Sequence, residues 1–234
     1  MRRARRMASS SSSVGWRDNK WLAAGELAIV ALIFVADWLH FIPFSKTPFI
    51  LLLGWLSLRV RRISWHEMGL ARYRSWAITF LFGILGGLFI EAFELFVSQP
   101  LLVRITGKQP DLADFKILTG NIQLTLLAFA LAWTLAAFGE ELVYRGYLLN
   151  RVADLGNRTR ISWICSVIVV STMFALAHTY QDITGVIEAG IDGFFLAVMY
   201  LRTGRNLSVP IIAHGVQDSI DLFLIFLGKY PGLH

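Results

Sequence analysis

The sequence predicts an all-α fold: a polytopic transmembrane helical bundle of about seven spans, with room for an eighth. Three observations carry this. Of 234 residues, 56% are hydrophobic and 16% charged, whereas an ordinary soluble domain is about a quarter charged. The apolar residues fall into runs, several of them reaching the ~20 residues needed to cross a bilayer. The arginines and lysines lie between those runs, and alternate loops carry the heavier load, as the positive-inside rule describes. The net charge of +6 would suit a nucleic-acid binder, but the basic residues form no continuous stripe. The expected partner is therefore the lipid bilayer and no nucleic acid.

In chain order, residues 1–20 are basic and serine-rich, from Met1 through Arg2, Arg3, Arg5 and Arg6 to Lys20. They resemble the charged start of a signal sequence. The apolar run behind them is too long for a signal core, however, and no small-residue cleavage site closes it. A cytoplasmic tail before an uncleaved first span is expected. The remainder, 21–234, reads as one transmembrane domain, with spans near 22–41, 47–60, 76–98, 122–152, 161–179, 183–201 and 207–228. The second is short enough to be tilted or re-entrant, and the fourth is long and turns amphipathic in its second half. The loops after the second, fourth and sixth spans hold Arg59, Arg61, Arg62, Arg72 and Arg74, then Arg151, Arg158 and Arg160, then Arg202 and Arg205. The intervening loops hold fewer, so the N-terminus is expected in the cytoplasm and the C-terminus outside. Cys165 is the only cysteine; it permits no intramolecular disulfide, and its apolar surroundings read as those of an inert core residue.

A charge at bilayer depth costs at least about 2.5–3.5 kcal/mol, so every acid or histidine inside a span needs a reason. Glu26 and Asp37 read as interfacial, where the cost is small. Glu91, Glu94, Glu188, Asp192 and Asp221 need partners, a wet cavity or bound protons. Three further clusters have a pattern. In Glu140-Glu141-Leu-Val-Tyr-Arg145, Glu141 and Arg145 are one helical turn apart in the favourable order for an ion pair. That pairing leaves Glu140 about 100° away around the helix, free for chemistry or merely solvated. In Phe174-Ala-Leu-Ala-His178, ring and imidazole share one face. In His214-Gly-Val-Gln-Asp218, His and Asp are one turn apart, as suits two metal ligands, an oriented pair or two donors to one oxygen. Glu140 and His178 are equidistant from residue 159, inside the polar stretch 156–160. A hairpin there brings both to one depth, roughly 25–30 Å from the turn. His214 follows Arg205 closely and would sit nearer the opposite leaflet unless its helix starts deep.

The order Glu-Glu-x-x-x-Arg, Phe-x-x-x-His and His-x-x-x-Asn/Asp resembles the CPBP family, which comprises type II CAAX prenyl endopeptidases and bacteriocin-processing or immunity (Abi) proteins. Here the motifs run from Glu140 to Arg145, Phe174 to His178 and His214 to Asp218, and the segment from Tyr200 to His214 is also similar. The resemblance covers about 122–228. It implies a helical intramembrane protease with a polar cavity, acting on a membrane-bound peptide or lipidated protein. By that resemblance Glu140 is the base that activates water and His178 helps hold the water. His214 and Asp218 face the substrate carbonyl, and Glu141, Arg145 and Phe174 support the site. Family members often carry Asn where this chain has Asp218. Asp218 would act protonated or turned towards His214, or else Glu140, His178, His214 and Asp218 would form a zinc set. A catalytic zinc keeps a position open for water, and the reading without a cofactor is preferred. Two other classes stay open: a non-proteolytic immunity or scaffolding protein, and an ion-coupled transporter using Glu91, Glu94, Glu188 and Asp192. The transporter would be supported by inverted repeats, and none is visible.

Overall fold

The computed structural model describes residues 19–43, 45–71 and 75–233. Nearly all of the expected tail, and the loop residues Arg72 and Arg74, lie outside the described residues. Among the described residues there is no strand. The α-helices are α1 (Lys20–Trp38), α2 (Thr47–Arg61), α3 (Trp76–Phe93), α4 (Gln99–Thr106), α5 (Ile122–Leu131), α6 (Leu149–Leu155), α7 (Arg160–Ala177), α8 (Asp182–Arg202) and α9 (Ser208–Phe226). Their starts are chemically marked. The side chains of Asn19, Asn121 and Thr159 accept the free amides of α1, α5 and α7, satisfying donors a helix leaves unpaired.

Two of the helices continue through π-helical turns. Glu94–Ser98 joins α3 to α4, and Ala132–Glu140 with Leu142–Leu148 joins α5 to α6. The third expected span therefore runs on to Thr106 as a helix of 31 residues, and the fourth is a helix of 34. Six helices among the described residues are long and apolar enough to cross a membrane. The second expected span is α2, with 15 residues, which at 1.5 Å per residue reaches about 22 Å against a hydrocarbon core of about 30 Å.

The short α2 still carries the chain from one end of the bundle to the other. At one end Arg61 pairs with Glu26 at 3.2 Å, the Leu207 amide donates to the Gly69 carbonyl at 3.0 Å, and Arg158 and Arg205 both lie over the Trp163 ring. At the other end Lys46 pairs with Asp37 at 2.6 Å and donates to the Ala177 carbonyl. There too Thr106 meets Thr184 at 2.8 Å, and the Gly120 amide donates to the Phe226 carbonyl. The arginine-bearing turns after α2, α6 and α8 thus share one end.

The outer surface is apolar. Phe80, Leu81, Phe82, Leu85, Leu88 and Phe89 on α3 are exposed, as are Ile161, Ile164 and Ile168 on α7. Many polar side chains are inside, including Glu91, Glu94, Glu141, Arg145, Glu188 and His214. This inverts the soluble pattern and suits a lipid exterior. Without a hydrophobic drive inside lipid, helices associate by close packing at small residues. Gly83 and Gly87, one turn apart on α3, bring α3 against α9; a Cβ at Gly83 would meet the Ile212 side chain at 2.6 Å.

One expectation is refined and one corrected. Glu26, at one end of the bundle, is buried and paired rather than solvated: it is 6% exposed, holds Arg61, and accepts from the Tyr147 hydroxyl at 3.2 Å. Its partners lie on other helices, which no local pattern reveals. Asp37 is the milder case, partly exposed and paired with Lys46. Cys165 is on the exposed face of α7, not in the core.

Candidate active site

The hairpin expected about residue 159 forms. Asn157 and Arg158 take left-handed backbone angles of 54° and 55° to turn the chain between α6 and α7. Glu140, at the end of a π-helical turn, and His178, capping the C-terminus of α7, then line the same cavity of about 450 Å³. His214 and Asp218 line it as well. The helix bearing them begins at a buried turn. Asn206 and Leu207 at the α8–α9 turn are 5% and 0% exposed, held by the Leu207–Gly69 bond and by Asn206 donating to Thr79 at 3.1 Å. His214 thus lines the same cavity as Glu140 and His178, whatever its distance from the arginine-bearing end.

Arg145 organises the wall behind the cavity. It is 1% exposed, and its Nη1 donates to Glu141 Oε1 at 2.5 Å. Its Nη2 donates to the Gly193 carbonyl of α8 at 3.0 Å, and the guanidinium lies 4.7 Å from the Phe174 ring centre. The expected Glu141–Arg145 pair is thus present, but Glu141 has a second partner that the spacing does not reveal. His214 Nδ1 stands 3.0 Å from the same Oε1. Glu141 accepts from both, so it fixes the imidazole as well as the guanidinium. Phe174 completes the wall, 4.8 Å from the His178 ring and 6.0 Å from the His214 ring, centre to centre.

The hydrogen bonds assign the ring protons. His178 Nδ1 lies 2.8 Å from the Phe174 carbonyl oxygen, which can only accept, so Nδ1 carries the proton and the neutral ring presents Nε2 as an acceptor. The Glu141 carboxylate, already paired with Arg145, likewise requires a proton on His214 Nδ1. His214 Nε2 faces Asp218 Oδ1 at 3.5 Å, an ion-pair separation rather than a short hydrogen bond. Asp218 is therefore turned towards His214. Among the described residues no three His, Cys, Asp or Glu side chains are grouped so as to hold a metal ion.

Sequence reasoning did not anticipate three features. The π-helical turns before and after Glu140–Glu141 are invisible to a 3.6-residue period; such turns cluster at functional sites. Gln217 faces the cavity, and its place one turn after His214 was the available signal. Tyr230, beyond the last span, lines the cavity and donates to Glu94 at 2.9 Å. Burial pushes its hydroxyl well above the usual phenol range, so it serves as a donor.

No curated protein and no solved structure matches the chain. One family model does, that of the Type II CAAX prenyl endopeptidase Rce1-like proteins, over residues 122–220. That stretch runs from the start of α5 into α9 and contains all three motifs. Motif order and model match agree: residues 122–220 are similar to the Rce1-like type II CAAX prenyl endopeptidases.

Proposed function

We propose that the chain is an intramembrane endopeptidase that hydrolyses a peptide bond in a membrane-associated substrate, lipidated or leader-bearing, with water activated by Glu140. The observation that carries this is the convergence of Glu140, His178, His214 and Asp218 on one cavity. One wall of that cavity includes Leu131 and Leu135, both exposed on the outer face of the bundle. A chain lying in the bilayer can approach through that side.

In this reading Glu140 takes a proton from water as the oxygen attacks the scissile carbonyl carbon. His178 Nε2 accepts a hydrogen bond from the same water. His214 lies between two carboxylates, Glu141 at Nδ1 and Asp218 at Nε2. Its Nε2–H donates to the oxyanion of the tetrahedral intermediate, a contribution of about 2.7–4 kcal/mol for one such donor. Collapse of the intermediate breaks the C–N bond, and Glu140 returns its proton to the leaving amine. Arg145, Glu141 and Phe174 hold the geometry. We place the N-terminus in the cytoplasm, because the arginine-rich turns gather at the end where α1 begins.

The test is cleavage of lipidated and unlipidated membrane peptides by purified protein, with and without a chelator. Glu140→Gln should lower turnover by about 10²–10⁴-fold, the range for a general base, with an unchanged melting temperature. Turnover should survive chelation. Zinc at one per chain, with activity lost on its removal and regained on its return, would instead make the four polar residues ligands. A folded wild type that cuts no peptide would favour an immunity or scaffolding role.

A further inference from the structure

The cavity has a second polar region that the hydrolytic steps do not use. Asp221 stands one turn beyond Asp218 on α9, α8 contributes Glu188 and Asp192, and the π-helical turn after α3 contributes Glu94; all four line the cavity. The donors present are few. Gln217 Nε2 donates to Glu94 at 2.9 Å and to Asp192 at 3.0 Å, and Tyr230 donates to Glu94. Glu188 is 4% exposed and its Oε1 has no hydrogen-bond partner. Asp221 and the buried Glu91 behind it have each other's carboxyl as hydrogen-bond partner. Among the described residues, no lysine or arginine lines the cavity.

Buried acceptors without donors are costly, and four carboxyl groups on three converging elements ask for a cation that brings several N–H groups. The side chains are not grouped for a metal ion. A guanidinium or ammonium fits better: five or three donors on a flexible stem can reach acceptors spread over the cavity. We propose that this acidic arm is the subsite for a basic side chain of the substrate, an arginine or lysine. The proposal rests on the endopeptidase reading above. Position follows from geometry. Asp221 lies two turns past His214 on α9, about 10 Å along the axis. An extended peptide advances about 3.3 Å per residue, so the basic residue falls within about three residues of the cleaved bond.

The experiment has two arms, both on the full-length protein in detergent. In the first, wild type and a Glu188→Gln/Asp192→Asn variant cut a lipidated peptide library randomised around its centre, and cleavage sites are read by mass spectrometry. Wild type should favour Arg or Lys within three residues of the bond by at least tenfold, and the variant should lose that preference while still cutting. Cleavage with no basic preference would overturn the proposal and leave the protease reading intact. In the second arm, hexylguanidinium and uncharged hexylurea are titrated against wild type, a comparison that needs no variant to fold. At least tenfold tighter binding of hexylguanidinium, lost in Glu188→Gln, supports the cation subsite even if no peptide is cut. Equal binding of the two overturns it. Selective binding of hexylguanidinium without a basic preference in cleavage would show a site for free organic cations and would overturn the substrate assignment.

Discussion

At the scale of single residues, Arg145 bears the greatest structural demand. Its guanidinium holds Glu141, the Gly193 carbonyl and the Phe174 ring at once. Removing it leaves the Glu141 carboxylate buried beside His214 alone, and breaking a buried pair from one side costs about 3–5 kcal/mol. Arg145→Ala should therefore lower the denaturation midpoint by that much in stability. Arg145→Lys should recover only part, since one ammonium cannot reproduce the planar fork that spans α8 and the Glu141 turn. Wild-type stability with selectively lost turnover would assign Arg145 a direct chemical role. The Glu141–Arg145 pair was legible in the sequence because its partners are one turn apart. The Glu141–His214 contact was not, because nothing local links residues 73 apart. The same holds for Glu26, whose partners Arg61 and Tyr147 lie on other helices.

At the scale of elements, the positions of the helices were readable from apolar runs, because lipid imposes both length and composition on whatever crosses it. Their internal winding was not readable. The π-helical turns at Glu94–Ser98, Ala132–Glu140 and Leu142–Leu148 keep the apolar content of an α-helix and change only its register. The α3–α9 contact positions the site from behind, since α9 carries His214 and Asp218. A Cβ at Gly87 would run into the Ala213 carbonyl oxygen and meet the Val216 Cβ at 2.8 Å. Gly87→Leu should cost about 1–3 kcal/mol from overpacking and displace α9. Its signature is a melting temperature and a turnover that fall together. Full turnover in this variant would show that α9 is positioned by other contacts.

At the scale of the whole molecule, the cavity and the arginine-rich turns occupy opposite ends of the bundle. Its lining reaches the exposed Ser45 and Tyr180 on the end where Lys46 meets Asp37, whereas Arg158 and Arg205 flank Trp163 on the other. In a Cys165→Ser background, a membrane-impermeant maleimide added to intact cells should label Ser45→Cys. It should reach Arg160→Cys only after permeabilisation. The reverse pattern would put the N-terminus outside, and labelling of both from one side would contradict the bundle's polarity. On the endopeptidase reading proposed above, this polarity makes hydrolysis vectorial. A cleavable segment must be delivered to the compartment that the arginines avoid, and the fragment freed by cleavage departs into that same compartment. A candidate substrate can therefore be judged by its topology before its sequence: one whose target bond stays on the arginine-rich side is out of reach, however well its residues fit.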